Sequence, residues 1–262
     1  MRKINDDLIE RMVNGDLLPL LNYIKSDDDL RLEVRQKGEA IVYYRKGKAL
    51  EIRKLKVDQK YGDVPSTQLA VDDPPRYFTQ IKECIDMWLN SKKERAEFDT
   101  QQYIAQSNQH SDDKYIILDM EYAFEQYKIE KVRREKRAVF DLLGIERKTN
   151  RIIFFEVKKG LKATQGKSGI EDHINDYKSY LFGKNSKVYK ENLNTDIRNI
   201  VEDKRKLGLI QNFDIPGNLG QTAPELVFVF HPDNTSQILT FEKELSNRHK
   251  LLIVNNKDYR LI

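Results

Sequence analysis

The sequence predicts an α/β protein: a helix and a β-meander, then a mixed central sheet built in the order α-β-β-β-α-β. Three observations carry this. Residues 137–160 (RAVFDLLGIERKTNRIIFFEVKKG) hold two apolar runs around a polar turn at Arg147–Asn150, the pattern of an antiparallel hairpin. Glu225–His231 (ELVFVFH) is a further buried run with a helical stretch before it, so it should lie parallel to its neighbour through a right-handed crossover. Finally, LRLEVRQ from Leu30, AIVYYRK from Ala40 and ALEIRKL from Ala49 are separated by Lys37-Gly38-Glu39 and Gly47-Lys48, which makes a meander.

Taken in order, residues 4–25 carry an apolar stripe of helical spacing that Gly15 and Pro19 divide. The meander follows, then a Pro-, Gly- and Asp-rich loop at 61–75 that separates an N-terminal module (1–62) from a larger domain (75–262). Asp72 or Asp73 caps a helix opened by Pro74-Pro75, and Phe78, Ile81, Ile85, Trp88 and Leu89 form its stripe. Residues 91–113 either continue as helix or loop out. Tyr115–Tyr122 (YIILDMEY) is a strand whose alternation groups Asp119 and Glu121 with Tyr115 and Ile117. The charged segment 125–136 reads as a mobile connection to the hairpin. After it, Ser168 and Glu171 form a capping box for a helix carrying His173 and Tyr177 on one face. Helices around 194–207 and 236–249 and a strand at 251–255 complete the chain. Gly166-Lys167-Ser168 echoes the end of a phosphate-binding loop, but the full glycine spacing is absent.

The hairpin fixes the chemistry. Alternation puts Ile152, Phe154, Glu156 and Lys158 on one face of the second strand, with Ile153, Phe155 and Val157 on the other, so the strand is central and buried. With the turn centred between Lys148 and Thr149, paired residue numbers sum to 297 and Asp141 falls opposite Glu156. Like charges facing across a ladder destabilise it, and a buried carboxylate costs several kcal/mol unless compensated. A divalent cation offsets both penalties, and oxygen-only ligands suit Mg²⁺ or Mn²⁺. The triplet Glu-x-Lys alone says little, since it recurs at Glu146/Lys148 and Glu202/Lys204. The competing structural role is a strand-end salt bridge between Lys158 and Glu156.

Asp141 followed by Glu156-Val157-Lys158 on the next strand resembles the motif of the PD-(D/E)xK phosphodiesterase superfamily, with Phe140 where the name-giving proline often stands. The element order from residue 75 resembles the restriction-endonuclease-like core of that superfamily, to about residue 232. The resemblance implies a metal-dependent nuclease, Asp141, Glu156 and the Val157 carbonyl holding Mg²⁺ (or Mn²⁺) and Lys158 orienting or activating the attacking water. His173 and Tyr177 resemble a Gln-x3-Tyr motif found on the corresponding helix in some branches, with His in place of Gln. Glu121 is a further candidate ligand, or the partner of Arg137 or Lys158 in a salt bridge. DNA is the expected substrate, and a restriction or anti-phage role, a homodimer or a defence-complex partner protein is implied by the family alone. The rival reading is a nuclease-fold module that binds nucleic acid or a protein without chemistry.

Charge is compatible with a polyanion. The net charge is only +4, but residues 31–60 hold ten Lys or Arg against four Asp or Glu. Further basic clusters flank the hairpin: Lys131, Arg133, Arg134, Lys136 and Arg137 before it, Lys158, Lys159, Lys162 and Lys167 after. Arg45 and Lys46, beside Tyr43 and Tyr44, are a candidate clamp on nucleic acid, although such a strand often packs one Tyr inward and shows the other to water. A lone Cys84 excludes internal disulfides and cysteine-rich zinc sites. The charged start MRKINDDLIERM lacks a signal peptide's apolar run, and no stretch is long enough to span a bilayer, so a cytoplasmic location is expected.

Overall fold

The computed structural model describes residues 1–91, 96–124, 138–164, 169–246 and 248–262. Its first elements are α1 (Asp6–Val13), α2 (Leu18–Ser26), β1 (Leu30–Val34), β2 (Ala40–Tyr44), β3 (Gly47–Glu51), α3 (Leu69–Asp72), α4 (Pro74–Asn90) and α5 (Ala96–Ser107). Then come β4 (Tyr115–Phe124), β5 (Ala138–Glu146), β6 (Arg151–Lys159), α6 (Ile170–Phe182), α7 (Ser186–Lys206), β7 (Glu225–His231), α8 (Ser236–Leu245) and β8 (Lys250–Ile253). The protein is mixed α/β, with a three-stranded antiparallel sheet and a five-stranded mixed sheet. Among the described residues no helix is long and apolar enough to cross a membrane.

Two compact units form, Met1–Gln102 with Asp196–Phe213, and Tyr103–Thr195 with Asp214–Ile262. This division groups residues 75–102 with the N-terminal sheet rather than with the domain drawn from residue 75. The reason lies in α4's partners. Tyr77 donates to the Ala49 carbonyl (2.7 Å), Tyr44 donates to Asp86 (3.0 Å), and Phe78 stacks on Tyr23 at 5.4 Å. Asp73 caps α4 by accepting from the Arg76 N–H at 3.2 Å, with Pro74 in the first turn. The β2–β3 turn is Arg45-Lys46, both left-handed (φ 47° and 59°), the geometry of a tight two-residue hairpin; Gly47 begins β3 instead of forming the turn. On β1, Glu33 is buried between Arg31 and Lys204, the latter at 2.7 Å.

In the second unit the sheet order is β4-β5-β6-β7-β8, antiparallel through β6 and parallel from β6 to β8. The β5–β6 register runs Leu142↔Phe155 to Glu146↔Arg151, the expected sum of 297. β6 is buried from Ile152 to Val157 and on to Lys158, as a strand flanked on both edges must be. β4 departs from simple alternation, because its register slips between Ile117 and Asp119. Ile117 therefore faces Gly144 while Asp119 faces Leu143, and the two do not share a face. Gly144 accommodates this bulge: a Cβ there would sit 2.6 Å from the Ile116 carbonyl oxygen.

The helices also depart in places from the expected bounds. α7 starts at Ser186, a full two turns before the expected 194, and α8 stops at Leu245 because Ser246 is left-handed. Gly169 occupies the N-cap of α6 with no side-chain cap. Ser168, expected there, lies outside the described residues, and Glu171 pairs with Arg248 rather than closing a capping box.

Candidate active site at the end of the β5–β6 ladder

The site forms where β5 leaves β6. Continuing the 297 register would pair Asp141 with Glu156 and Phe140 with Val157, but the ladder stops at Leu142↔Phe155. Phe140 instead stacks on Phe154 at 4.0 Å, although Phe154 pairs with Leu143, three residues away on the same strand. Strict alternation forbids that, so β5 twists at Asp141. On β4 the position facing Asp141, between the pairs Met120↔Leu142 and Tyr122↔Phe140, is Glu121, and its φ is 56°. A left-handed glutamate is sparsely populated backbone, found where the surrounding structure enforces it.

The twist releases one backbone donor, and Asp141 takes it. The Val157 N–H donates to Asp141 Oδ2 at 2.9 Å, so a carboxylate replaces the missing carbonyl of the ladder. A strand residue points its N–H and C=O to the same neighbour, which directs the Val157 carbonyl toward Asp141 as well.

Glu156 is fully buried, and neither of its oxygens has an aligned hydrogen-bond partner. Burial pushes its carboxyl up to about 7, and the Asp141 charge pushes the same way; His173 and Lys158 pull against them. His173 Nδ1 lies 3.1 Å from Glu156 Oε2, close but misaligned for a hydrogen bond. Burial lowers the His173 pKa, yet the neighbouring carboxylates of Glu156 and Asp141 more than offset it and the net direction is up. The other ring nitrogen, Nε2, is 3.2 Å from the Lys158 ammonium. Lys158 is 3% exposed, so α6 and β6 together hold an imidazole between a buried carboxylate and a buried ammonium.

No family model, curated protein or solved structure matches this chain.

Asp141, Glu156, Lys158 and His173 are therefore brought together at one end of the hairpin. Tyr177, one turn further along α6, faces elsewhere. Its hydroxyl donates to the Pro224 carbonyl (2.8 Å) and its ring meets His249 edge-on. Glu121 on β4 faces Asp141 across the β4–β5 ladder and is half-buried. Among the described residues no group of three or more His, Cys, Asp or Glu side chains is placed to hold a metal ion. Of the basic candidates, Lys159 is half-buried at the end of β6 and Lys162 is exposed. Arg45 is held by Asp86 (2.6 Å) and Asp99 (2.7 Å), and the Lys46 N–H donates to Gln102. Tyr43 packs inward and Tyr44 is half-buried, the ordinary arrangement for such a strand. Arg133, Arg134, Arg137 and Lys167 lie outside the described residues, as does the connection at 125–136.

Sequence alternation did not single out Asp119 as a buried acid. It is fully buried opposite Leu143 of β5, and the signal was available in an aspartate set within the apolar run YIILDM.

Proposed function

We propose that the chain is a metal-dependent nuclease of the PD-(D/E)xK type that hydrolyses phosphodiester bonds, with DNA as substrate. One observation carries the reading: Asp141, anchored on the Val157 N–H, loads its charge onto a buried Glu156 that has no aligned donor. A protein gains nothing in stability from that arrangement, whereas a hard divalent cation makes it favourable. The donor set fits Mg²⁺ or Mn²⁺ held by Asp141, Glu156 and the Val157 carbonyl. Such an ion polarises a phosphodiester and lowers the pKa of a bound water. The strand order β4-β5-β6 followed by α6 and parallel β7, behind a preceding helix, supports a restriction-endonuclease-like core. Lys158 is the group that places the attacking water and balances negative charge growing on the phosphate.

The rival reading is a nuclease-fold module that binds nucleic acid or a protein without cutting. A cleavage panel on linear, circular and single-stranded DNA and on RNA, with Mg²⁺ or Mn²⁺, separates them. Metal-dependent cutting by the parent, lost in Asp141→Asn and Glu156→Gln and reduced roughly 10²–10³-fold in Lys158→Met, supports the nuclease. No cutting, together with no Mg²⁺ binding by calorimetry, overturns the nuclease and favours the binding module.

A further inference from the structure

We propose that His173 is a positioning residue for Lys158, its Nε2 accepting a hydrogen bond from the ammonium while Nδ1–H faces Glu156. This deepens the nuclease reading and rests on it for its catalytic consequence; the contact itself does not depend on that reading.

An ammonium offers only donors, so the nitrogen 3.2 Å from Lys158 Nζ must be an acceptor. A neutral imidazole has one acceptor and one donor, so the ring proton sits on Nδ1, 3.1 Å from Glu156 Oε2. For the neutral ring, the Lys158 contact selects the Nδ1–H tautomer. Lys158 is a four-carbon stem with freely rotating bonds. His173 offers its ammonium a ring nitrogen from a different element, near the start of α6. The ring has no room to drift, being 13% exposed and set between two side chains that are almost wholly buried. Groups that fix a ligand or a catalytic side chain from behind commonly change activity about 10–100-fold when removed.

Two measurements test this. Long-range ¹H–¹⁵N spectra of the metal-free protein at pH 8 read the ring tautomer directly, and the chain has four histidines to assign. The Nδ1–H form is expected for His173, and Lys158→Met is expected to shift its ¹⁵N signals where the exposed Lys187→Met does not. An Nε2–H ring, or signals indifferent to Lys158→Met, overturns the contact. The second measurement is single-turnover cleavage of a DNA substrate with Mg²⁺. His173→Leu should lower the rate about 10–100-fold with substrate KM within twofold of the parent. His173→Gln, which keeps one acceptor and one donor, should recover most of it. A His173→Leu rate equal to the parent's, or a His173→Gln rate no better than His173→Leu, overturns the positioning role. If the parent cuts nothing, the nuclease reading fails, the positioning role falls with it, and the spectra still decide the Lys158 contact.

Discussion

Glu156→Gln should stabilise this protein at pH 8 in the absence of divalent metal. The carboxyl titrates near 7 in the folded chain against an ordinary 4.5, chiefly through burial and then through the Asp141 charge. At about 1.4 kcal/mol per tenfold change in proton affinity, keeping it ionised disfavours the folded state by roughly 3 kcal/mol. The sign follows from linkage. A carboxyl with a raised folded-state pKa binds its proton more tightly when folded, so this group's contribution to the parent's stability is fully present below 4.5 and is lost as the pH rises through about 7. Gln has nothing to titrate and keeps the shape. Its amide faces the same lack of partners as the protonated acid, so the difference between the two proteins isolates the charge. Differential scanning calorimetry in chelator should therefore show the variant melting several degrees higher at pH 8, with the gap closing toward pH 4.5. Repeating the pair in a His173→Gln background keeps the imidazole's own proton out of the interval. Adding Mg²⁺ should raise the parent's Tm and leave Glu156→Gln nearly unmoved. A gap of the same size at pH 5 and pH 8 would mean that Glu156 carries no uncompensated buried charge, and a cation at this spot would have nothing to relieve.

Other perturbations test the frame around the site. Gly144→Ala forces a Cβ to 2.6 Å from the Ile116 carbonyl oxygen and 3.1 Å from the Phe155 ring, and urea unfolding should show a loss of about 1–3 kcal/mol. Phe154→Ala removes a ring stacked on Phe140 at 4.0 Å and met edge-on by Tyr180 at 5.1 Å, and should lose about 3–5 kcal/mol in the same assay. In the other unit, burial pushes the Glu33 carboxyl up but Arg31 and Lys204 hold it down at about 2. Its stability contribution is thus present above 4.5 and lost as the pH falls toward 2; Glu33→Ala should cost about 3–5 kcal/mol at pH 7, measured by denaturant melts, with the deficit shrinking in strong acid.

How far the sequence could be read depended on whether a strand obeyed its period. β6 is apolar on both faces and ends in Glu-Val-Lys, and the polar turn at Arg147–Asn150 pinned its register from Leu142↔Phe155 to Glu146↔Arg151; the expected pairing of Asp141 with Glu156 is not formed, because the ladder stops one pair short of it. β4 was harder. Its bulge before Asp119 and its left-handed Glu121 are marked by no glycine on β4 itself; the glycine that permits the bulge, Gly144, is on the neighbouring strand. The expectation that Asp119 shares a face with Ile117 failed for that reason. α7's early start at Ser186 was hidden because its first two turns, SKVYKENL, are mostly polar and offer little apolar stripe. The pairing of His173 with Lys158 joins a helix to a strand end, and no local pattern encodes such a contact.

The same break in the ladder makes the proposed metal site and the instability. Had β5 stayed paired with β6 through Phe140, the Val157 N–H would have met a carbonyl and Asp141 would have had no backbone anchor. By twisting away at Asp141, the chain gives that N–H a carboxylate and sets its charge against Glu156. Water does not relieve the repulsion, since Glu156 has no exposure, and His173 relieves it only in part from a misaligned 3.1 Å. What remains is a buried demand for positive charge at a fixed point, with Lys158 tethered nearby by the same imidazole. A fold selected for stability alone would place Gln or Leu at 156; retaining the acid makes sense when something cationic arrives during function. For that reason the pH-dependent gap between Glu156→Gln and the parent is a sharper probe than loss of activity. It measures the strain that the cation is proposed to release, and it does so before any substrate is added.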